Sequence, residues 1–236
     1  MALQETKVRD EEFPISFFDE IGYGVIFYGQ PSYNGVAMAY RKSIFHNPTQ
    51  ITKNISGYKD NQTRLIAGMF EHKKLRKSIR VICVYVPNGS EIGSDKFAYK
   101  LGWLQSLVAF IEKEKKTFDK ICLLGDFNIA PNDIDVHDPE KWKEKILCSS
   151  EERLLFQKIL KIDFFDSFRD IHNATKSFSW WDYRQASFRR NIGLRIDHIL
   201  LSACLKTNLV DAGISKEPRK LDKPSDHAPC WIKLTL

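Results

Sequence analysis

An α/β layered fold follows from three observations on the sequence. Short apolar runs recur between Gly, Pro, Asn and Asp, two longer segments carry apolar residues at helical spacing, and no repeat or low-complexity tract interrupts them. The short runs, rich in Val, Ile, Phe or Leu, predict strands at Gly24–Tyr28, Val36–Tyr40, Leu65–Phe70, Arg80–Val86, Lys120–Leu124, Ser177–Trp181, Ile196–Ser202, Val210–Ile214 and Ala228–Leu234. Pro87 closes the fourth, because proline lacks the N–H that a ladder needs. Phe97–Lys116 predicts a helix with Phe97, Leu101, Leu104, Leu107, Val108 and Ile111 on one face. Ser150–Leu160 predicts a second, opened by Ser149 as N-cap and by Glu151 and Glu152 in its first turn. Stacked sheets with helices outside bury such a set of runs best.

The 236 residues, 43% hydrophobic and 28% charged, fit a single domain with a sizeable core, spanning 1–236. No apolar run is long enough to span a membrane, and the first residues lack the basic and apolar regions of a signal peptide, so a cytoplasmic monomer is expected. Cys83, Cys122, Cys148, Cys204 and Cys230 are too scattered for a zinc site; the first two lie in apolar runs and read as small core residues. The net charge of +6 suits a polyanionic partner. The basic run His72–Lys77 reads as a solvated hairpin loop, and Lys113–Lys116 as the polar end of its helix.

Polar residues gather where the apolar runs stop. Ile121–Leu124 runs into Gly125-Asp126-Phe127-Asn128, where alternation along extended backbone lets Asp126 and Asn128 face one side. Tyr85 stands at the end of the Arg80 run, placed to donate a hydrogen bond at the same rim. Asp197 enters an apolar strand, which is costly without a partner. The same alternation points His198 away from Asp197, so His198 reads as structural. In Ser225-Asp226-His227 a carboxylate could orient the imidazole and favour its charged form. Glu5 and Asp226 are candidates for a hard cation, which takes one or two carboxylates together with waters and substrate phosphate.

Together these residues resemble the exonuclease III family of abasic-site endonucleases, within the endonuclease/exonuclease/phosphatase superfamily. The resemblance rests on LQETK (3–7), YNGVA (33–37), YVPNG (85–89), KFAYKLGWL (96–104), GDFNIAPNDIDVHDP (125–139), FSWWDYR (178–184), GLRIDHILLS (193–202) and KPSDHAP (223–229), eight blocks in order along the chain. It implies a four-layer α/β sandwich, two packed mixed sheets flanked by helices. It also implies a Mg²⁺ enzyme, with Mn²⁺ as substitute, incising double-stranded DNA 5′ to abasic sites and acting as a 3′–5′ exonuclease or clearing blocked 3′ ends in base excision repair.

By that resemblance Glu5 and Asp226 hold the metal, with Asp126 and Asn128 as ligands should a second bind. Asp126 orients or deprotonates the attacking water, Asn128 positions water and phosphate, Tyr85 and His227 stabilise the transition state, and Asp197 holds His227. The proton acceptor stays open between Asp126 and His227. Asn34, Asn88, Trp180, Trp181, Arg184, Arg189 and Arg190 are the expected DNA contacts, with the aromatic block as floor of a pocket for a base-less sugar. Members carry about thirty residues, a strand-helix-strand unit, ahead of LQETK. The block begins here at Leu3, so a fold without that strand and helix, and weakened activity, are expected. The competing readings are a DNA-binding remnant without full catalysis and another phosphoesterase of the superfamily.

Overall fold

A computed structural model of the chain describes residues 1–235. Its strands are β1 (Ala2–Gln4), β2 (Tyr23–Tyr28), β3 (Val36–Arg41), β4 (Thr49–Lys53), β5 (Leu65–Glu71), β6 (Ser78–Tyr85), β7 (Ile121–Asp126), β8 (Phe164–Asp166), β9 (Asp197–Ser202), β10 (Leu209–Ile214) and β11 (Cys230–Leu234). The helices are α1 (Ile15–Glu20), α2 (Asp95–Lys115), α3 (Pro139–Trp142), α4 (Ser150–Lys161) and α5 (Ser167–Ile171).

The central layer is a six-stranded mixed sheet in the order β4-β5-β6-β7-β9-β8, in which β6 and β7 run parallel and the other pairs antiparallel. Its inner strands β5, β6, β7 and β9 carry apolar residues on both faces, as a doubly covered sheet requires, while the edge strand β4 is polar and exposed. Leu65, Ala67, Ile82, Val84 and Leu123 face Trp103, Leu104 and Leu107 of α2 and Leu155, Phe156 and Ile159 of α4. Ile66, Cys83, Cys122 and Leu201 point the other way, onto Val36 and Met38 of β3. Beyond β3, Phe18 of α1 packs on Ala37 and Ala39 as the outermost layer. Four layers result.

Among the described residues the second sheet layer holds antiparallel pairs only, where a mixed sheet is expected. It is divided into an antiparallel three-stranded sheet, β1-β3-β2, and an antiparallel pair, β10-β11. Among the described residues β1 pairs only with β3 and β11 only with β10, so each ends its own sheet.

The expected strand at Ser177–Trp181 does not form. Ser179 and Trp180 both donate their N–H to the Leu194 carbonyl while Trp181 donates to Asp226, so the segment bridges two others instead of laddering with one. The buried face of α2 is also turned from the predicted one: Lys100, Trp103 and Phe110 are buried, whereas Leu101 and Val108 are only partly covered. At α4 the N-cap is realised as a capping box, Ser149 accepting from the Glu152 N–H and Glu152 from the Ser149 N–H. The basic run forms the exposed turn between β5 and β6. Cys83 and Cys122 are buried free thiols, as expected.

Gly125 fixes how β7 approaches β6. Its φ of +141° excludes L side chains, and a Cβ there would lie 1.9 Å from the Val84 carbonyl oxygen. Gly125→Ala is expected to cost upwards of about 2 kcal/mol, since strain at positive φ adds to a backbone clash. A urea titration measures it; an unchanged midpoint would refute the steric reading.

Candidate active site

Sheet register builds the site. In the parallel pair β6-β7 Tyr85 lies opposite Asp126, and in the antiparallel pair β7-β9 Asp126 lies opposite Asp197. Three strand ends thereby set a phenol and two carboxylates in one row at the rim of the central sheet. Asp126 is 5% exposed, and its carboxylate accepts from the Asn128 N–H (2.8 Å) and from Asn128 Nδ2 (3.0 Å). Asn128 reaches back because its backbone is left-handed, φ +50°, a conformation that Asn tolerates better than most residues. Its amide also donates to the Val86 carbonyl, and its Oδ1 accepts from Asn88 Nδ2 at 3.1 Å.

His227 comes from the loop before β11 and places Nδ1 2.9 Å from one Asp197 oxygen and 3.1 Å from the other. Asp197 is itself fixed by Ser179, whose hydroxyl accepts the N–H groups of Ile196 and Asp197. With Nδ1 engaged, Nε2 is left for substrate. Burial works against a charged His227, but the Asp197 carboxylate overrides it and raises the imidazole to about 10. Burial foremost, then the neighbouring Asp197 charge, pushes Asp126 up to about 7, although His227 pulls it the other way. One group is thus kept cationic at neutral pH, while the other changes state near it.

Glu5, at the end of β1, accepts a hydrogen bond from the Tyr85 hydroxyl at 2.5 Å and pairs with Lys7 at 2.6 Å. Burial alone would raise its carboxyl; Lys7 and Tyr85 bring it below its ordinary value. The Tyr85 phenol is held protonated by burial and by this bond to Glu5. Asp226 accepts from the Trp180 indole at 2.9 Å.

Asp126, Asp197 and His227 have atoms close enough to share a metal, all within 4.8 Å. The direct His227–Asp197 hydrogen bond suits proton holding better. Glu5 and Asp226 offer carboxylate oxygens that suit a hard cation: the Lys7 ammonium already stands as a cation on Glu5, and one Asp226 oxygen is left by Trp180.

Some expected contacts are placed otherwise. Trp181 is 0% exposed, packed between Phe178 and Phe188, and cannot present its ring to DNA. Trp180 is partly exposed at the site, whereas Asn34 is turned inward and donates to Gln62. Asn88 is exposed, as are Arg184, forked on Asp182, and Arg189 and Arg190, which make no ion pair among the described residues. Sequence reasoning missed Lys7 and Ser179, though each adjoins a motif residue: Lys7 lies two past Glu5, and Ser179 precedes Trp180.

The profile of the endonuclease/exonuclease/phosphatase family matches residues 1–227. The chain belongs to that family. It is 37% identical to exodeoxyribonuclease III of Haemophilus influenzae, over 99% of this chain and 88% of the relative. Among solved structures it resembles a 3′ phosphatase from Neisseria bound to a product DNA hairpin, with TM-score 0.93 and 40% identity, covering 100% of this chain and 88% of that one. An abasic-site endonuclease from Archaeoglobus fulgidus follows at TM-score 0.90 and 34% identity, with the same coverage. Within the family this chain is a hydrolytic nuclease of the exodeoxyribonuclease III type. Among the described residues, no helix is long and apolar enough to cross a membrane.

Proposed function

We propose that the chain is a Mg²⁺-dependent DNA phosphodiester hydrolase of base excision repair, incising 5′ to abasic sites and trimming or unblocking 3′ ends. The row Tyr85–Asp126–Asp197, with His227 held on Asp197, carries this reading. Asp126 accepts the proton of an attacking water that Asn128 helps to seat. His227, cationic at neutral pH, donates to a phosphoryl oxygen as negative charge grows there, and the Tyr85 hydroxyl does the same once its one proton turns away from Glu5. Asp197 keeps the imidazolium in place. Glu5 and Asp226 would hold the cation, which supplies Lewis-acid charge and lowers the pKa of bound water. The net charge of +6, exposed Arg184, Arg189 and Arg190, and the half-exposed Trp180 fit a DNA backbone beside an unstacked residue.

The deciding experiment is incision of a duplex carrying one abasic site, and release of phosphate from a 3′-phosphorylated hairpin, each with Mg²⁺ or chelator. Cleavage by the wild type, lost with chelator and in Asp126→Asn and His227→Ala, is the expected result. Binding of the abasic duplex without cleavage would replace this reading with a DNA-binding remnant.

The pH profile of kcat/KM is expected to rise through about 7, as Asp126 loses its proton, and to fall near 10, as His227 loses its charge. Folding stability carries the same signature for His227. Its folded value lies above the ordinary 6.5, so its contribution is complete below 6.5 and disappears as pH rises through about 10. An alkaline limb unchanged in Asp197→Asn would refute this assignment.

A further inference from the structure

Lys100 of α2 and Glu152 of α4 are an ion pair with both side chains 0% exposed, behind the row of site residues and outside the roles assigned so far. The ammonium has three N–H groups, and all are used. One meets Glu152 Oε1, one the Asn88 carbonyl oxygen at 3.0 Å, and one the Asn128 carbonyl oxygen at 2.7 Å. Glu152 is equally committed: Oε1 also accepts the Leu147 N–H, and Oε2 accepts the N–H and the hydroxyl of Ser149. The two carbonyls belong to the asparagines whose side chains bond each other at 3.1 Å, and one of those side chains holds Asp126. Both segments are conformationally demanding. Asn128 sits at φ +50°, and Gly89, after Asn88, at φ +91°, where a Cβ would come within 2.9 Å of Lys100 Cδ.

A buried ion pair is a poor source of stability, since desolvation offsets the attraction and apolar side chains of like volume serve as well or better. Apolar side chains cannot donate to two inward-facing carbonyls, which would turn away in search of partners. We infer that Lys100 is a positioning residue whose ammonium, anchored by Glu152, fixes the main chain at Asn88 and Asn128 and so aims Asp126 at the scissile phosphate. This rests on the reading of the site as a DNA phosphodiesterase.

The test replaces the pair by an apolar one, Lys100→Met with Glu152→Leu, and follows melting temperature, kcat, KM and the Asn128 side-chain amide resonance. A folded double variant is expected to lose about 30-fold in kcat with KM within about twofold, and to show a displaced Asn128 amide signal. Recovery by Lys100→Arg with Glu152→Asp, which returns donors to the carbonyls, supports the same conclusion. A folded apolar variant with wild-type kcat and an unmoved Asn128 signal overturns it, leaving only a packing role. Should the apolar variant not fold, the wild type decides: slow exchange of the Lys100 ammonium protons, with couplings across hydrogen bonds to the Asn88 and Asn128 carbonyl carbons, supports the grip, and fast exchange overturns it. If the wild type cleaves no DNA, the functional reading fails, while the Lys100 and Asn128 resonances still decide the anchoring.

Discussion

Asp126→Asn is expected to lower kcat by roughly three orders of magnitude with little change in KM, the loss that follows removal of a placed general base. The substitution keeps shape and volume, so the 5%-exposed site opens no cavity. It removes a proton acceptor that changes charge near neutrality, Asp126 being raised to about 7. One local conflict accompanies it, because an amide nitrogen cannot accept from Asn128 Nδ2 as the second carboxylate oxygen does. Stability is expected to change little, since a neutral group there escapes the desolvation that penalises the carboxylate. Single-turnover kinetics on a 5′-labelled abasic duplex measures the effect. A loss under tenfold would move the proton acceptor to His227.

The second large effect is on stability. Arg195 is 1% exposed and bonds Asp135 at 2.6 Å, Asp166 at 2.7 Å and His198 Nδ1 at 3.0 Å, while the Phe168 ring lies 5.3 Å from its guanidinium carbon. Burial would raise both carboxyls, but the Arg195 charge holds them below the ordinary Asp range. Arg195→Met leaves two buried carboxylates short of their counter-charge, Arg169 alone remaining on Asp135. A loss of about 3–5 kcal/mol is expected, or roughly 10 °C in melting temperature for a chain of this size. Depressed carboxyls stabilise above the unfolded pKa near 3.8, and lose that contribution as pH falls through their folded values. The gap between wild type and variant should therefore narrow below pH ~4. A constant gap down to pH ~3 would assign the loss to packing.

Legibility in the sequence followed from local periodicity. Tyr85, Asp126 and Asp197 each end or enter an apolar run, so their meeting at one rim was readable once those runs became neighbouring strands. The structural assignment of His198 likewise followed from alternation; its ring lies between Phe127 and Phe156 and takes no part in the site. Alternation failed in the 177–181 block, because an aromatic-rich segment looks like a strand even when its N–H groups serve two partners. Nothing in the adjacent Trp180 and Trp181 tells which is buried. Lys100 was hidden for another reason: a lysine on an amphipathic helix reads as solvent-facing, and only tertiary packing brings Glu152 and two carbonyls to it. The division of the second layer depends on whether β1 and β11, from opposite ends of the chain, meet each other, which no local pattern encodes.

That division sets the durability of the two halves of the centre. Tyr85, Asp126 and Asp197 ride on a six-stranded sheet covered on both faces, whereas Asp226 and His227 hang from a loop leading into a two-stranded ribbon. The ribbon is held by its neighbours, with Leu209, Ile232 and Leu234 against the core and the Ala212 carbonyl on His172, and not by further strands. Segment 209–235 should therefore come loose more often than the central sheet, and a protease sampling the native protein should nick 215–229 first. Each such opening would carry off the imidazole together with the Asp226 carboxylate and leave Tyr85, Asp126 and Asp197 behind, so the working lifetime of the enzyme would be that of its smallest sheet.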